Sequence, residues 1–343
     1  MTAEVLFVVP TYNRARDLPR TLHAIAAQDW AHDRMSILVV DGGSQDATPE
    51  VVEALSRTLP CKVALLRKAN EGPAISRNIG LAQGRGRLVA VVDSDVALDP
   101  GWTRATVAAM HSDPALAQVG GRLVFGHDPA VLNSYGGVLG RGIGLAWDFA
   151  EGHAADDHRT ARDVLWVNTS AVLYRPEPVL AVGGFDPAFM MAYEEPDLGL
   201  RLAIAGWRAR VVPDAVALHH VGPQTLHWDA AMVFHQVKNR IRAGLKSLGP
   251  LRLCGFIVAS LLYGLADAAL HRPRAARLRG LWWNLANAAD TWRLRRHAQA
   301  LRRVPDHMAL APGGMAWLPP TRLRGRRRRI MPDFIAQPAA DDR

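Results

Sequence analysis

Up to about Pro100, short apolar runs alternate with stretches whose apolar residues recur at helical spacing. Residues 5–9, 37–40, 63–66 and 88–92 are continuous runs of the kind that form strands buried on both faces, while residues 17–28, 48–59 and 73–83 between them read as helices. This alternation predicts βαβ units and a largely parallel, doubly wound sheet, with ligands bound beyond the carboxyl ends of the strands. Thr48 followed by Pro49 predicts an N-cap with proline at N1. The first run, between Glu4 and Pro10, has neither a basic leader nor a cleavage site and reads as a strand, not a signal peptide.

Residues 101–213 carry glycine, tryptophan and short apolar runs such as 123–125 and 164–167. Pro196 opens a predicted helix through Ala205, Gly206 stops it, and residues 209–212 and 215–218 read as two extended segments. Beyond Trp228 the pattern is helical, ending in the run Arg326 to Arg329 and a Pro/Ala/Asp tail of disordered composition. The reading is therefore three regions: 1–240, 241–330 and 331–343. Charge supports the division, since residues 1–240 hold 22 Lys/Arg against 26 Asp/Glu and the remainder 19 against 6. With 49% hydrophobic residues over 343 positions the chain is globular, and two cysteines, Cys61 and Cys254, exclude a disulfide scaffold and point to a reducing compartment.

Candidate chemistry sits at strand ends. Asp41 closes the second strand before a glycine turn, as a turn former or as a carboxylate at the ligand edge. Asp93 and Asp95 end the most apolar strand, and i, i+2 alternation places them on one face, where a hard divalent cation would relieve their repulsion. Glu194, Glu195 and Asp197 surround Pro196 at a helix start, either as partners of the helix dipole or as a carboxylate poised to take a proton from a hydroxyl. His219 and His220 are buried histidines or ligands of the same ion. No Gly-x-Gly-x-x-Gly follows a strand, which argues against a dehydrogenase.

Taken together, these segments resemble glycosyltransferase family 2, the inverting nucleotide-sugar transferases, and more narrowly its bacterial rhamnosyltransferase-like branch. The segments are Pro10-Thr11-Tyr12-Asn13-Arg14, Asp41 to Ser44, Arg77-Asn78-Ile79-Gly80, Asp93-Ser94-Asp95, Gly183 to Pro187, Glu194 to Leu202 and His219 to Gly222, in family order over about residues 5–240. The resemblance implies a GT-A fold, a Rossmann-like mixed α/β sheet flanked by helices, with a basic helical C-terminal extension. It implies donor-binding roles for Pro10, Thr11, Tyr12, Asn13, Arg14, Asp41, Arg77, Asp93 and Ser94. It also implies Mg²⁺ or Mn²⁺ held by Asp95, with Asp93 and His219 or His220. The family's Glu-Asp-x-Asp is here Glu194-Glu195-Pro196-Asp197, so Glu195 takes the place of the base, with Glu194 and Asp197 as the alternatives. The expected reaction transfers a sugar from a nucleoside-diphosphate donor to a hydroxyl of a glycan or lipid-linked acceptor, in bacterial cell-surface polysaccharide or glycolipid synthesis.

The uncharged run 253–266 has fourteen residues, short of the ~20 that span a bilayer. Trp282, Trp283 and Trp292 interleaved with Arg277, Arg279, Arg293, Arg295 and Arg296 suit peripheral contact with an anionic membrane, at the inner face of the cell membrane in the cytoplasm. No nucleic-acid motif accompanies the basic charge, so nucleic acid is not an expected partner. A non-catalytic membrane- or polyanion-binding protein with a degenerate GT-A domain is the reading from a different class.

Overall fold

A computed structural model describes residues 4–140, 142–221 and 229–313. Gly222, Trp228, the arginine run 326–329 and the tail 331–343 lie outside them. The first half alternates as its pattern predicts: β1 (Val5–Thr11), α1 (Leu18–Ala26), β2 (Met35–Asp41), α2 (Thr48–Ser56), β3 (Lys62–Arg67), α3 (Pro73–Gln83) and β4 (Leu88–Val92). Then come β5 (Val96–Leu98), α4 (Trp102–Ser112), β6 (Leu116–Phe125), β7 (Asp128–Ser134), β8 (Gly137–Leu139), β9 (Ala146–Asp148), β10 (Arg162–Val164) and β11 (Ala171–Tyr174). Helices α5 (Pro176–Ala181) and α6 (Glu194–Ile204) precede β12 (Arg208–His219), and α7 (Ala230–Ser247), α8 (Pro250–Leu270), α9 (Arg274–Ala286), α10 (Ala288–Ala300) and α11 (Asp306–Ala309) close the described chain.

The main sheet runs β10-β12-β6-β11-β4-β1-β2-β3, with β5 on β12 and β7 on β6. β3, β2, β1 and β4 are mutually parallel, and β11 then enters antiparallel to both β4 and β6, so the sheet is mixed, as expected. The chain moves from β1 outward to β2 and β3, then returns to place β4 on the other side of β1. That reversal opens a crevice beyond the carboxyl ends of β1 and β4. Alternate residues explain the double layer: Phe7, Val9, Ile37 and Val39 pack with α1 and Trp102 of α4, whereas Leu6, Val8, Leu38 and Val40 pack with residues of α3 and α6.

Several local expectations change. Thr48 is the first helical residue and caps nothing; its hydroxyl is drawn to Asp46 and accepts from the Arg14 amide at 2.9 Å. Residues 209–218 form one strand, β12, broken by a bulge at 212–216. The boundary drawn at residue 240 falls inside α7. Helix α8 reaches 21 residues with mean hydropathy 1.9, so the fourteen-residue run understates it, and among the described residues it alone is long and apolar enough to cross a membrane. The count stopped at Asp267, whose charge is met inside the fold by Arg277 at 2.6 Å.

The basic C-terminal charge is not all outward either. Arg242 and Lys246 are about 1% exposed and reach Asp186 at 2.7 and 2.6 Å, and Lys246 also reaches Asp197 at 2.7 Å. Arg295, assigned from its sequence position to the membrane side, is buried and donates to the Leu245 and Leu248 carbonyls at the end of α7. Trp283 is half-buried beneath Lys238 and Arg242, while Trp282 and Trp292 are exposed.

Candidate active site

The turns after β1 and β2 are stitched together. Asn13, in the left-handed region at φ +52°, donates its amide to Ser44 Oγ at 2.8 Å and accepts from the Gln45 amide at 2.9 Å. Asp41 is fully buried, accepting from the Ser44 amide and hydroxyl and from Arg67 Nε at 3.1 Å, so its carboxylate builds the turn. Thr11 is buried at the end of β1 and its hydroxyl has no partner among the described residues, whereas Tyr12 is exposed.

Asp93, Ser94 and Asp95 do not continue β4. They form the turn into β5, closed by the Val96 amide on the Asp93 carbonyl at 3.1 Å, so the strand-alternation argument gives way to turn geometry. Asp93 pairs with Arg77 of α3 at 3.1 Å and accepts from Ser170 Oγ at 3.0 Å; burial raises its carboxyl above the usual range against the pull of Arg77. Arg77 is itself buried, stacked over Phe185 and surrounded by the charges of Asp93, Glu194 and Glu195. It therefore holds Asp93 from inside the fold.

Asp95 faces His219 of β12, with Oδ1 3.6 Å from Nε2. Burial works against the Asp95 charge, but hydrogen bonding and charge from His219 hold its carboxyl below the usual range. His219 Nδ1 lies 2.8 Å from Asn133 Oδ1 on β7. An amide oxygen only accepts, so Nδ1 donates to Asn133 and Nε2 is the nitrogen turned toward Asp95: with its proton it donates to that carboxylate, and without it its lone pair would face a cation held there. One carboxylate oxygen and one imidazole nitrogen facing each other suit Mn²⁺ or Mg²⁺ completed by substrate oxygens. Among the described residues no three such side chains close around a common point, so a diphosphate would have to supply the remaining ligands. His220, next along, turns the other way and packs over Gly126.

Glu194 and Glu195 open α6 after two non-glycine residues in the left-handed region, Ala192 at φ +62° and Tyr193 at φ +67°. Such backbone is costly unless held. Asn239 of α7 holds it, donating to the Met191 and Ala192 carbonyls at 2.8 and 2.7 Å. Upstream, Asn78 clamps the Phe185 amide and carbonyl, both at 2.8 Å, against Gly184, where a side chain would collide with it. Glu194 is 7% exposed, and burial together with the neighbouring Glu195 charge pushes its carboxyl up to about 8. Asp197 is turned into the helical layer, fully buried between Arg201 Nη2 at 2.6 Å and Lys246. It stands apart from the cleft.

Sequence reading missed the segment that joins these groups. In Asn168-Thr169-Ser170 each side chain donates to a different carboxylate: Asn168 to Asp148 at 3.3 Å, Thr169 to Glu195 at 2.6 Å, and Ser170 to Asp93 at 3.0 Å. Asp148, on β9, is a further carboxyl at the site, pushed up to about 6 by burial, with Glu151 and Glu195 adding to the shift. The three stretches carrying Asp95, Glu195 and His219 are thus connected through one set of contacts. Only a three-residue polar run between apolar segments marks this tripeptide in the sequence.

Residues 6–151 match the family described as Glycosyl transferase family 2. The pre-mycofactocin glycosyltransferase of Mycobacterium tuberculosis is 30% identical over 237 residues, 68% of this chain and 46% of its own length. The poly(ribitol-phosphate) beta-N-acetylglucosaminyltransferase TarS of Staphylococcus aureus is 33% identical over 117 residues, 33% of this chain and 20% of its own. The solved structure of TarS residues 1–349 superposes with a TM-score of 0.54 at 17% identity, covering 87% of each chain. A mannosyltransferase from Pyrobaculum calidifontis, solved with GDP-Man and Mn²⁺, gives 0.54 at 20% identity over 88% of this chain and 86% of that one. The chain thus spans less than half the length of these curated relatives, and the solved structures establish the fold as GT-A.

Proposed function

We propose that this chain, which over residues 6–151 belongs to glycosyl transferase family 2, transfers a sugar with inversion from a nucleoside-diphosphate donor to an acceptor hydroxyl in cell-surface polysaccharide or glycolipid synthesis. The observation that carries the reading is the convergence of the Asp95–His219 pair and Glu195 through Asp93 and the Asn168–Ser170 segment. A non-catalytic polyanion-binding protein needs none of these contacts.

Asp95 and His219 would hold the divalent cation, which when bound neutralises charge on the diphosphate as it leaves. The Nδ1–H of His219 stays on Asn133, which fixes the ring's orientation. Glu195, oriented by Thr169, takes the proton of the acceptor hydroxyl; the acceptor oxygen bonds to the anomeric carbon as the bond to the diphosphate oxygen breaks. One displacement inverts the centre. Thr11, at the end of β1, and the turn 11–14 lie where the donor's nucleoside would sit, beyond the carboxyl ends of the parallel strands.

The same reading sets the exposed side of α8 and α9 against an anionic membrane surface at its cytoplasmic face. Leu251, Leu262, Leu270, Trp282 and Leu285 are at least 64% exposed there. Arg252, Arg272 and Arg274 flank this face and pair with no carboxylate among the described residues. Apolar residues rimmed by cations are the composition of an interfacial helix pair.

The test is calorimetry with UDP-, GDP- and dTDP-sugars in the presence of Mn²⁺, followed by a transfer assay. One donor should bind only with the metal, and Asp95→Asn should abolish metal-dependent transfer while the protein still melts cooperatively. Full transfer by Asp95→Asn would remove the metal role.

A further inference from the structure

Beside the carboxylates lies a groove of about 560 Å³ between Leu139, Gly140, Gly142 and Gly144 on one side and helices α7 and α8 on the other. Its wall includes Tyr193 and Pro196, the residues on either side of Glu194 and Glu195. Leu139, Leu248, Phe256 and Leu310 make it apolar, and Leu251 and Arg252, both exposed, place its mouth on the face of α8 assigned above to the membrane.

One wall residue does not belong in an apolar lining. Arg240 of α7 is 4% exposed. Its Nη1 donates to the Ile143 carbonyl and to Ser260 Oγ at 3.1 Å, and its guanidinium lies 5.3 Å from the Tyr263 ring centroid. Its Nη2 is buried and has no hydrogen-bond partner among the described residues. Arg77, Arg201, Arg242 and Lys246, equally buried, each meet a carboxylate within about 3 Å. Arg240 meets none among the described residues. A buried cation with an unspent donor is costly, and an anionic ligand would offset that cost.

We propose that the groove seats an acceptor lipid carrying a phosphate or diphosphate ester, with the phosphate against the Arg240 guanidinium and the apolar chain along Phe256 and Leu248 toward the mouth at Leu251. The assignment rests on the glycosyltransferase reading and narrows its acceptor to a lipid phosphate, whose glycan hydroxyl then lies on the Glu195 side of Tyr193 and Pro196. Both halves of the ligand are specified by the protein: the chain by the apolar lining, the headgroup by the buried Arg240, with the exposed Arg252 as a second cation at the mouth. The mouth opens where the same lipid would be drawn from a bilayer.

Gly255 gives a clean way to close the groove. It lies on α8 in the groove wall, and a Cβ added there meets nothing within 4 Å, so a larger side chain enters the open space without displacing the fold. The test is calorimetry on the full chain with farnesyl phosphate below its aggregation limit, and with farnesol and inorganic phosphate as matched controls. Farnesyl phosphate should bind at least about tenfold more tightly than farnesol, the worth of a charge-assisted hydrogen bond, and Gly255→Phe and Arg240→Gln should each lower its affinity by about tenfold or more. Should Arg240→Gln fail to fold, Gly255→Phe decides alone, since it removes no buried contact. Affinity unchanged in Gly255→Phe, equal binding of farnesol, or no binding to the wild type overturns the assignment. Donor binding with Mn²⁺ is measured on the same samples. Its absence beside intact farnesyl phosphate binding would overturn the transferase reading and leave the groove assigned.

Discussion

Two carboxylate pairs face one cleft and are held in opposite ways. Asp93 and Asp95, in the turn between two strands, each have a nitrogen partner brought by another element, Arg77 from α3 and His219 from β12. Glu194 and Glu195, at the start of a helix, have among the described residues only the Thr169 hydroxyl as a direct side-chain partner, with Arg77 acting at longer range. The first arrangement keeps Asp95 charged and sets it opposite Nε2 of His219, two ligands between which a cation would fit. The second sets two like charges side by side with Glu194 buried, which pushes the Glu194 carboxyl up to about 8, while Glu195 is half-exposed and is the one the proposal gives the base role. The contrast teaches how the proposed metal and base roles can be kept apart using carboxylates alone, by the different partners each pair is given.

Among variants that leave Asp95 and His219 in place, breaking the base side should have the largest effect. Glu195→Gln keeps the shape and the Thr169 contact but cannot take a proton, so kcat should fall by about 10²–10⁴ with donor affinity retained. Glu194→Gln imitates the protonated form that the comparison assigns to that residue, and should cost less than about tenfold in kcat. Steady-state kinetics on both variants, with donor titrations by calorimetry, separates the two. If Glu194→Gln is the deeper loss, the roles are exchanged.

The metal side is sharpened by Asn133, which touches no donor atom but fixes the His219 tautomer. Asn133→Leu should weaken Mn²⁺ binding by about 10–100-fold, read by titration in the presence of a nucleoside diphosphate. Asn133→Asp, whose oxygen still accepts the Nδ1 proton, should restore most of it. A plain structural role would not be rescued this way.

How far the sequence carried follows from what holds each part. The parallel half was legible because β1, β2 and β4 are buried on both faces, so that each of those apolar runs has only one use, while the edge strand β3 is only half-buried; β1 to β4 and the three helices between them fall where the pattern placed them. The carboxylates were legible because they follow such strands or sit beside a helix-opening proline. The partners were not. Asn133 lies 86 positions from His219 and Ser170 lies 77 from Asp93, and no local pattern encodes a contact formed by sheet order. The basic C-terminal charge misled for the same reason: Arg242 and Lys246 look like a solvated face until Asp186 and Asp197 are brought beneath them. Charge counted along the chain says nothing about whether its counterion is 50 residues away.

The proton on Glu194 also makes a smaller prediction, about stability. Its carboxyl is raised from 4.5 to about 8 on folding, so the folded state binds the proton more tightly than the unfolded chain. That contribution is fully present below about pH 4.5 and is lost as pH rises through about 8. Asp148 has the same sign, but its loss is largely over by neutral pH because its carboxyl is raised only to about 6. Between pH 7 and 9 the Glu194 contribution can therefore be told from that of Asp148. Lys238, held down to about 8 by burial, also titrates there, but it is common to both proteins in a comparison of the wild type with Glu194→Gln. The variant, uncharged throughout, should gain Tm over the wild type as pH rises from 7 to 9, by about 2–4 °C for each kcal/mol of repulsion removed. Thermal melts at pH 5, 7 and 9 measure it. A difference between the two proteins that stays constant across that range would mean that Glu194 is already ionised at neutral pH, and the contrast between the two pairs would then have to rest on geometry alone.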